Sequence, residues 1–237
     1  MDVMIFETVK YDAQLVGDKS RISFFAESED NSDSVTAITE EAIIKWLLEH
    51  RHFKEMFLSK FFKDISSVQT FYGLTDPFVT VGQKPGDIDL LLVNPKDLKV
   101  SIAFEVKRLK ALAINEERSK VNGVEKISKG VIQANKYQSL GFHQSYLMLI
   151  ILNDGRLKNT PNVMLRSAKT DDVERIYSVP WDEPLHSDVG IIFIDINQFT
   201  GRHISQTGSL GICIDKYARP LEQTHEFTRK VERLFLK

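Results

Sequence analysis

Pro85-Gly86-Asp87-Ile88-Asp89-Leu90-Leu91-Leu92-Val93, followed by Ile102-Ala103-Phe104-Glu105-Val106-Lys107, is the part of the chain that decides its architecture. Both runs are rich in Leu, Ile, Val and Phe and are separated by the turn residues Asn94-Pro95-Lys96-Asp97, so they read as neighbouring strands. Charged residues inside such strands are costly unless they are paired or bind a cation, which makes these informative. Alternation places Glu105 and Lys107 on one face with Ser101 and Ala103, and Ile102, Phe104 and Val106 on the opposite, core-facing side. Asp87 and Asp89 likewise share a face. When the two strands pair, two carboxylates and an ammonium converge at one end of a sheet.

Outward from this core the pattern is mixed α/β. Upstream, Val3 to Tyr11 and Arg21 to Ala26 are β-rich and flank Val16-Gly17-Asp18-Lys19, the pattern of a hairpin with a loose turn. Glu27 to Ser34 is acidic, without an apolar residue, and reads as a solvated linker. Thr39 then caps a helix whose stripe is Ile43, Ile44, Leu47 and Leu48, and a second helical pattern covers Phe53 to Phe62. Phe78 to Val81 reads as a strand leading into the Gly82 to Gly86 turn. Downstream, a helix from about Val124 to Leu140 ends at Gly141, and Tyr146 to Leu152 is a strand buried on both faces. Residues 155–188 give no clear pattern. Gly190 to Ile196 and Leu210 to Ile214 are further strands, and Leu221 to Leu236 is an amphipathic terminal helix. The expected organisation is an N-terminal hairpin and linker (1–34), a core (35–152) and a C-terminal extension packed on the same domain (153–237).

The composition removes several classes. Of 237 residues, 42% are apolar and 27% charged, the balance of a globular protein rather than a disordered or fibrous one. The seven apolar residues of Tyr146 to Leu152 form the longest such run, far short of the about 20 that a membrane span needs. Asp2 and Glu7 leave the N-terminal stretch without a signal-peptide pattern, and the one cysteine, Cys213, excludes an internal disulfide framework. A cytosolic protein without a membrane partner is expected. Net charge is −2, so a polyanion must be held by a local basic surface.

Two carboxylates, a lysine and small neighbours suit hydrolysis of a phosphodiester bond. Mg²⁺ is held by one or two carboxylates together with waters and substrate phosphate oxygens. It stabilises charge on the phosphate and acidifies a bound water, while a nearby lysine orients that water or stabilises the developing charge.

Asp89, Glu105 and Lys107 resemble the signature of the PD-(D/E)XK nucleases, the restriction-endonuclease-like superfamily. In that family an aspartate opens a central strand and Glu-x-Lys closes the next. The chain departs from a literal Pro-Asp, reading Pro85-Gly86-Asp87-Ile88-Asp89; Asp89 is matched because an apolar run follows it, with Asp87 as competitor. The resemblance covers about residues 38–152. It implies a mixed central sheet flanked by helices, and a Mg²⁺ site, with Mn²⁺ as substitute, built from Asp89 or Asp87, Glu105 and the Val106 carbonyl. It also implies a glutamate from the preceding helix. Glu40 precedes Ile43, Ile44 and Leu47 by three, four and seven residues and so faces inward, whereas Glu41 precedes Lys45 by four, the spacing of a solvent ion pair. An acid in a helix's first turn is also favoured by the dipole alone.

Gln133-Ala134-Asn135-Lys136-Tyr137 resembles the Gln-x-x-x-Tyr helix of RecB-like branches, which adds Gln133 to the catalytic set. Lys126, Lys129, Gly130, Gln133, Lys136, Tyr137 and Leu140 recur at helical spacing as a basic face suited to a phosphate backbone. Residues 101–140 hold eight Lys/Arg against four Glu. Arg108 and Lys110, with the polar stretch through Asn122, read as a basic loop beside the cleft. Lys126, Lys129, Lys136 and Tyr137 are the other candidate nucleic-acid contacts. The implied function is nuclease action, on DNA rather than RNA, in repair, restriction or anti-phage defence, with room for a homodimer or a helicase or ATPase partner. The alternatives are an inactive nuclease-fold protein that binds nucleic acid or a protein, and a nucleotidyltransferase. The last would use Asp87 and Asp89 but lacks a Gly-Ser loop, since Gly73 to Gly86 contains no serine. His50 and His52 are spaced too closely to face one metal, no phosphate loop is present, and Trp181 reads as covering core rather than stacking on a base.

Overall fold

The computed structural model describes residues 2–10, 39–49, 51–78, 87–113, 119–154, 170–199 and 207–236. In chain order the elements are β1 (Asp2–Lys10), α1 (Glu40–Glu49), α2 (Arg51–Ser59), β2 (Gln69–Leu74), β3 (Ile88–Asn94), β4 (Asp97–Ala113) and β5 (Ser119–Asn122). There follow α3 (Glu125–Leu140), β6 (Gln144–Asp154), α4 (Thr170–Asp182), β7 (Gly190–Phe199), β8 (Thr207–Lys216) and α5 (His225–Glu232). One mixed sheet holds all eight strands in the order β1-β8-β7-β6-β4-β3-β2, with β5 on β4. β4, β6 and β7 run parallel, and the remaining pairs are antiparallel. A mixed sheet flanked by helices is the expected fold class and is compatible with a restriction-endonuclease-like fold.

Strand alternation sorts the core into two layers. On one face, Leu90, Leu92, Ile102, Phe104, Val106, Tyr146 and Met148 pack against Ile43, Ile44 and Leu47 of α1 and Phe53 and Phe57 of α2. On the other, Leu147, Leu149, Ile151 and Phe193 pack against Ile127, Val131 and Ala134 of α3 and Ile176 of α4. The continuous apolar run of β6 contributes to both layers, as a strand buried on both faces must. Gly141 closes α3 in the left-handed region at φ 100°.

Several expectations need correction. β1 pairs with β8 at one edge of the sheet, while Arg21 to Ala26, its expected hairpin partner, lies outside the described residues, as do the acidic linker and Val79 to Gly86. β2 carries no buried-strand pattern because it is an edge strand, half-buried or exposed throughout. Lys107 to Ala113 and Ser119 to Asn122 are not a basic loop: β4 continues to Ala113 and β5 folds back on it, while 114–118 lie outside the described residues. α4 lacks a clear helical signature because Pro180 falls inside its last turn. The terminal helix begins only at His225, because Thr224 caps it, accepting from the Phe227 N–H at 3.2 Å.

The register of β4 creates a notch. β6 pairs along one edge from Ile102 to Leu112. On the opposite edge β3 takes Ser101 to Phe104 and β5 takes Lys110 to Ala113. Between Phe104 and Lys110, about 20 Å of strand at ~3.3 Å per residue, no described strand pairs with that edge.

Candidate active site

Backbone groups left open by the notch need partners, and carboxylates supply them. The Val106 N–H donates to Asp89 Oδ2 at 2.7 Å, and the Arg108 N–H donates to Glu40 Oε1 at 3.1 Å. Asp89 therefore stands where β3 peels away from β4, its carboxylate replacing the next rung of the ladder. Glu40 reaches the same edge from the first turn of α1. Glu41 instead faces solvent, paired with Lys45 at 2.5 Å, as its spacing suggested.

Glu105 and Lys107 project from β4 toward α3. Glu105 is fully buried and Lys107 nearly so. The Lys107 ammonium donates to Glu105 Oε1 and, at 3.1 Å, to the Val106 carbonyl, and it lies 3.9 Å from Asp89 Oδ2. The Tyr137 hydroxyl lies 2.6 Å from Glu105 Oε2 and 2.8 Å from the Asp87 backbone carbonyl. Asp89 rather than Asp87 is thus the acid that meets Glu105 and Lys107; the Asp87 side chain is exposed.

The charges do not balance. Two carboxylates share one ammonium in a buried site. Burial, followed by the neighbouring Asp89 charge, raises Glu105 to about 8, and burial raises Asp89 to about 6. Burial works against the Lys107 charge, but Glu105 and Asp89 outweigh it and its pKa is raised. Glu105, the more strongly raised of the two, is the carboxylate that holds a proton more readily. Its hydrogen bonds suit that state. Tyr137 has one proton but faces two acceptors, and both contacts are filled only when Glu105 Oε2–H donates to Tyr137 and Tyr137 donates to the Asp87 carbonyl.

A divalent cation would resolve the same imbalance. The donors are hard oxygens: Asp89, Glu105 and the Val106 carbonyl. No group of three His, Cys, Asp or Glu residues is placed to hold a metal among the described residues. Two carboxylates with waters and phosphate oxygens nevertheless form a set that Mg²⁺ accepts, so the residues fit the ion. Glu40, with its Oε1 on the Arg108 N–H, acts on Asp89 and Lys107 through its charge.

α3 is turned differently from the sequence expectation. Tyr137 and Gly130, placed there on a basic outer face, are buried with Ile127, Val131 and Ala134. Tyr137 therefore supports Glu105 and does not lie on a phosphate-binding surface. The signal was present: Tyr137 follows Ala134 by three residues, on the apolar stripe. Lys129 and Lys136 are exposed, and Lys126 and Gln133 are half-buried. Ser128 and Asn135 on one flank of α3 bond Glu183, Pro184 and His186 beyond α4. At ~100° per residue, Lys126 and Gln133 occupy the opposite flank, on the side of Gly130 and Tyr137, while Lys129 and Lys136 point outward from the buried stripe. Arg108 alternates with Lys107 and so stands on the α1 face of β4; Lys110 pairs with Asn122, and its side chain lies outside the described residues. Trp181 does not cover core: it is 56% exposed, with its indole N–H donating to Asp215 at 2.9 Å.

Tyr137→Phe tests this arrangement. It leaves the Asp87 carbonyl and Glu105 Oε2 without a partner, and an unsatisfied buried polar group costs about 1–3 kcal/mol. A loss of that size is expected in urea unfolding without divalent cation.

No protein-family model and no curated protein matches the chain. Among solved structures, SfsA of Pyrococcus furiosus in complex with Ca²⁺ is similar over 73% of this chain and 63% of that one, at 12% identity and a TM-score of 0.24. This chain thus spans less than two thirds of SfsA, and a likeness of that degree adds nothing to the site. Among the described residues no helix is long and apolar enough to cross a membrane.

Proposed function

We propose that the chain is a divalent-cation-dependent nuclease that hydrolyses phosphodiester bonds, with DNA the favoured substrate. The observation that carries this reading is the meeting of Asp89, Glu105 and Lys107 in the notch of β4, around the Val106 peptide unit. Asp89, Glu105 and the Val106 carbonyl would hold Mg²⁺, or Mn²⁺ in its place. The ion supplies charge stabilisation at the phosphate and lowers the pKa of a water. Asp89 and Glu105 bring the negative charge that selects a cation at this point. Lys107, kept protonated by those carboxylates, orients the attacking water or meets charge developing on the phosphate oxygens. Tyr137 holds Glu105, and Glu40 holds the Arg108 end of the notch.

Lys126 on the Tyr137 flank of α3, with Lys129 and Lys136 on its exposed face, would suit a phosphate backbone passing over the helix. Lys129→Ala with Lys136→Ala should weaken DNA binding alike for unrelated sequences. It should reduce the salt slope by roughly one to two units, measured by binding titrations at several salt concentrations. An unchanged slope returns these lysines to ordinary surface.

The rival reading is a nuclease-fold protein that binds without cutting. Labelled single- and double-stranded DNA and RNA, incubated with Mg²⁺, Mn²⁺ or EDTA, separate the two. Cleavage with either ion and none in EDTA is expected. Tight binding with no cleavage of any substrate favours the binder.

A further inference from the structure

Gly130 sits in the middle of α3, where glycine is the least favourable residue after proline. Its backbone needs no left-handed conformation, so the reason for a glycine lies in space. A Cβ built there would fall 2.9 Å from Lys107 Cγ, 2.9 Å from Leu147 Cδ1 and 3.4 Å from Lys107 Cε. Ordinary carbon contacts need about 3.5–4.0 Å. The Leu147 methyl is the end of a flexible side chain and can turn away. Lys107 Cγ is near the root of its side chain, and moving it swings everything beyond.

We infer that Gly130 is a positioning residue for Lys107. The missing side chain leaves a slot between α3 and β4 in which the Lys107 stem lies, and the slot aims the ammonium at Glu105 and the Val106 carbonyl. One helical stripe thus holds both working side chains of β4: Gly130 guides Lys107, and Tyr137, seven residues on, bonds Glu105. The catalytic consequence rests on the nuclease reading; the slot itself does not. A Cβ would displace the stem by about 0.5–1 Å, and misplacement on the 1 Å scale can cost about 10²-fold in rate.

The test is a double-variant cycle of Gly130→Ala with Lys107→Ala, read by single-turnover cleavage, DNA binding in Ca²⁺ and urea unfolding. In the wild-type background Gly130→Ala should slow cleavage by about 10–10²-fold and leave binding unchanged. In the Lys107→Ala background it should slow cleavage no further, because no stem remains to be pushed. The unfolding midpoint should fall further in the first background than in the second, where the added methyl meets only the Leu147 side chain and alanine's helix preference offsets part of the cost. Equal fold losses in both backgrounds, or no loss in either, overturn the positioning role. If the wild type cuts nothing, the nuclease reading fails. The difference between the two midpoint shifts then still decides whether the slot belongs to Lys107, equal shifts overturning it.

Discussion

Lys107→Ala is expected to lower single-turnover cleavage by about 10²–10³-fold while DNA binding in Ca²⁺ stays close to that of the wild type. The asymmetry follows from where the ammonium stands. It faces Glu105, the Val106 carbonyl and Asp89, at the centre of the proposed cation site and away from the exposed α3 lysines that would grip the backbone. A charge that meets the substrate only as the bond breaks contributes to the transition state and little to ground-state affinity. Lys107→Arg should not restore the rate, because a planar guanidinium cannot take the place of a compact ammonium in the slot beside Gly130. Parallel rate measurements and binding titrations check both. A Lys107→Ala protein that cuts at the wild-type rate contradicts the assignment.

Glu105→Gln is expected to abolish cleavage and to change how stability responds to pH. Without divalent cation, burial and Asp89 raise Glu105 from an ordinary 4.5 to about 8. The folded protein then keeps a proton that the unfolded chain has lost. The resulting stabilisation is fully present below the unfolded pKa and disappears as pH rises through the folded one. In EDTA the wild type should therefore lose thermal stability from about pH 5 to 9 more steeply than Glu105→Gln. Asp89, raised to about 6, accounts for the acid end of that window and should remain in the variant. Mg²⁺ added at the alkaline end should raise the wild-type melting temperature through mass action and leave Glu105→Gln unmoved. Parallel pH profiles of the two proteins would contradict the buried-acid account.

The parts of the site legible in the sequence were those where charge interrupts an apolar pattern. Asp89 before Leu90 to Val93, and Glu105 and Lys107 alternating with Phe104 and Val106, are costly unless they share a purpose, and period-2 geometry brings them together. Glu40 was separable from Glu41 because helical spacing ties one to Ile43 and Leu47 and the other to Lys45. The Asp87 competitor could not be removed that way, since both acids share a face. What separates them is the splaying of β3 from β4, which offers the Val106 N–H to Asp89.

α3 shows where pattern alone misleads. Lys126, Lys129, Gln133, Lys136 and Tyr137 fall within one half of the helix, yet the edge of the buried stripe runs through that half. Gly130 and Tyr137 turn inward, while the lysines remain exposed or half-buried. Hydropathy does not mark that edge, because glycine and tyrosine are apolar or polar according to what they meet. β5 was missed for a related reason: Ser119 to Asn122 has no apolar alternation, and it becomes a strand only because β4 runs on to offer it an edge.

Diffraction from crystals soaked in Mn²⁺, with anomalous data collected at the metal's absorption edge, tests the central claim most directly. The account predicts one ion in the notch of β4, bound by Asp89, Glu105 and the Val106 carbonyl. The Lys107 ammonium should have moved off Glu105 to make way for it. A notch without anomalous density at saturating Mn²⁺, with Lys107 still on Glu105, would contradict it.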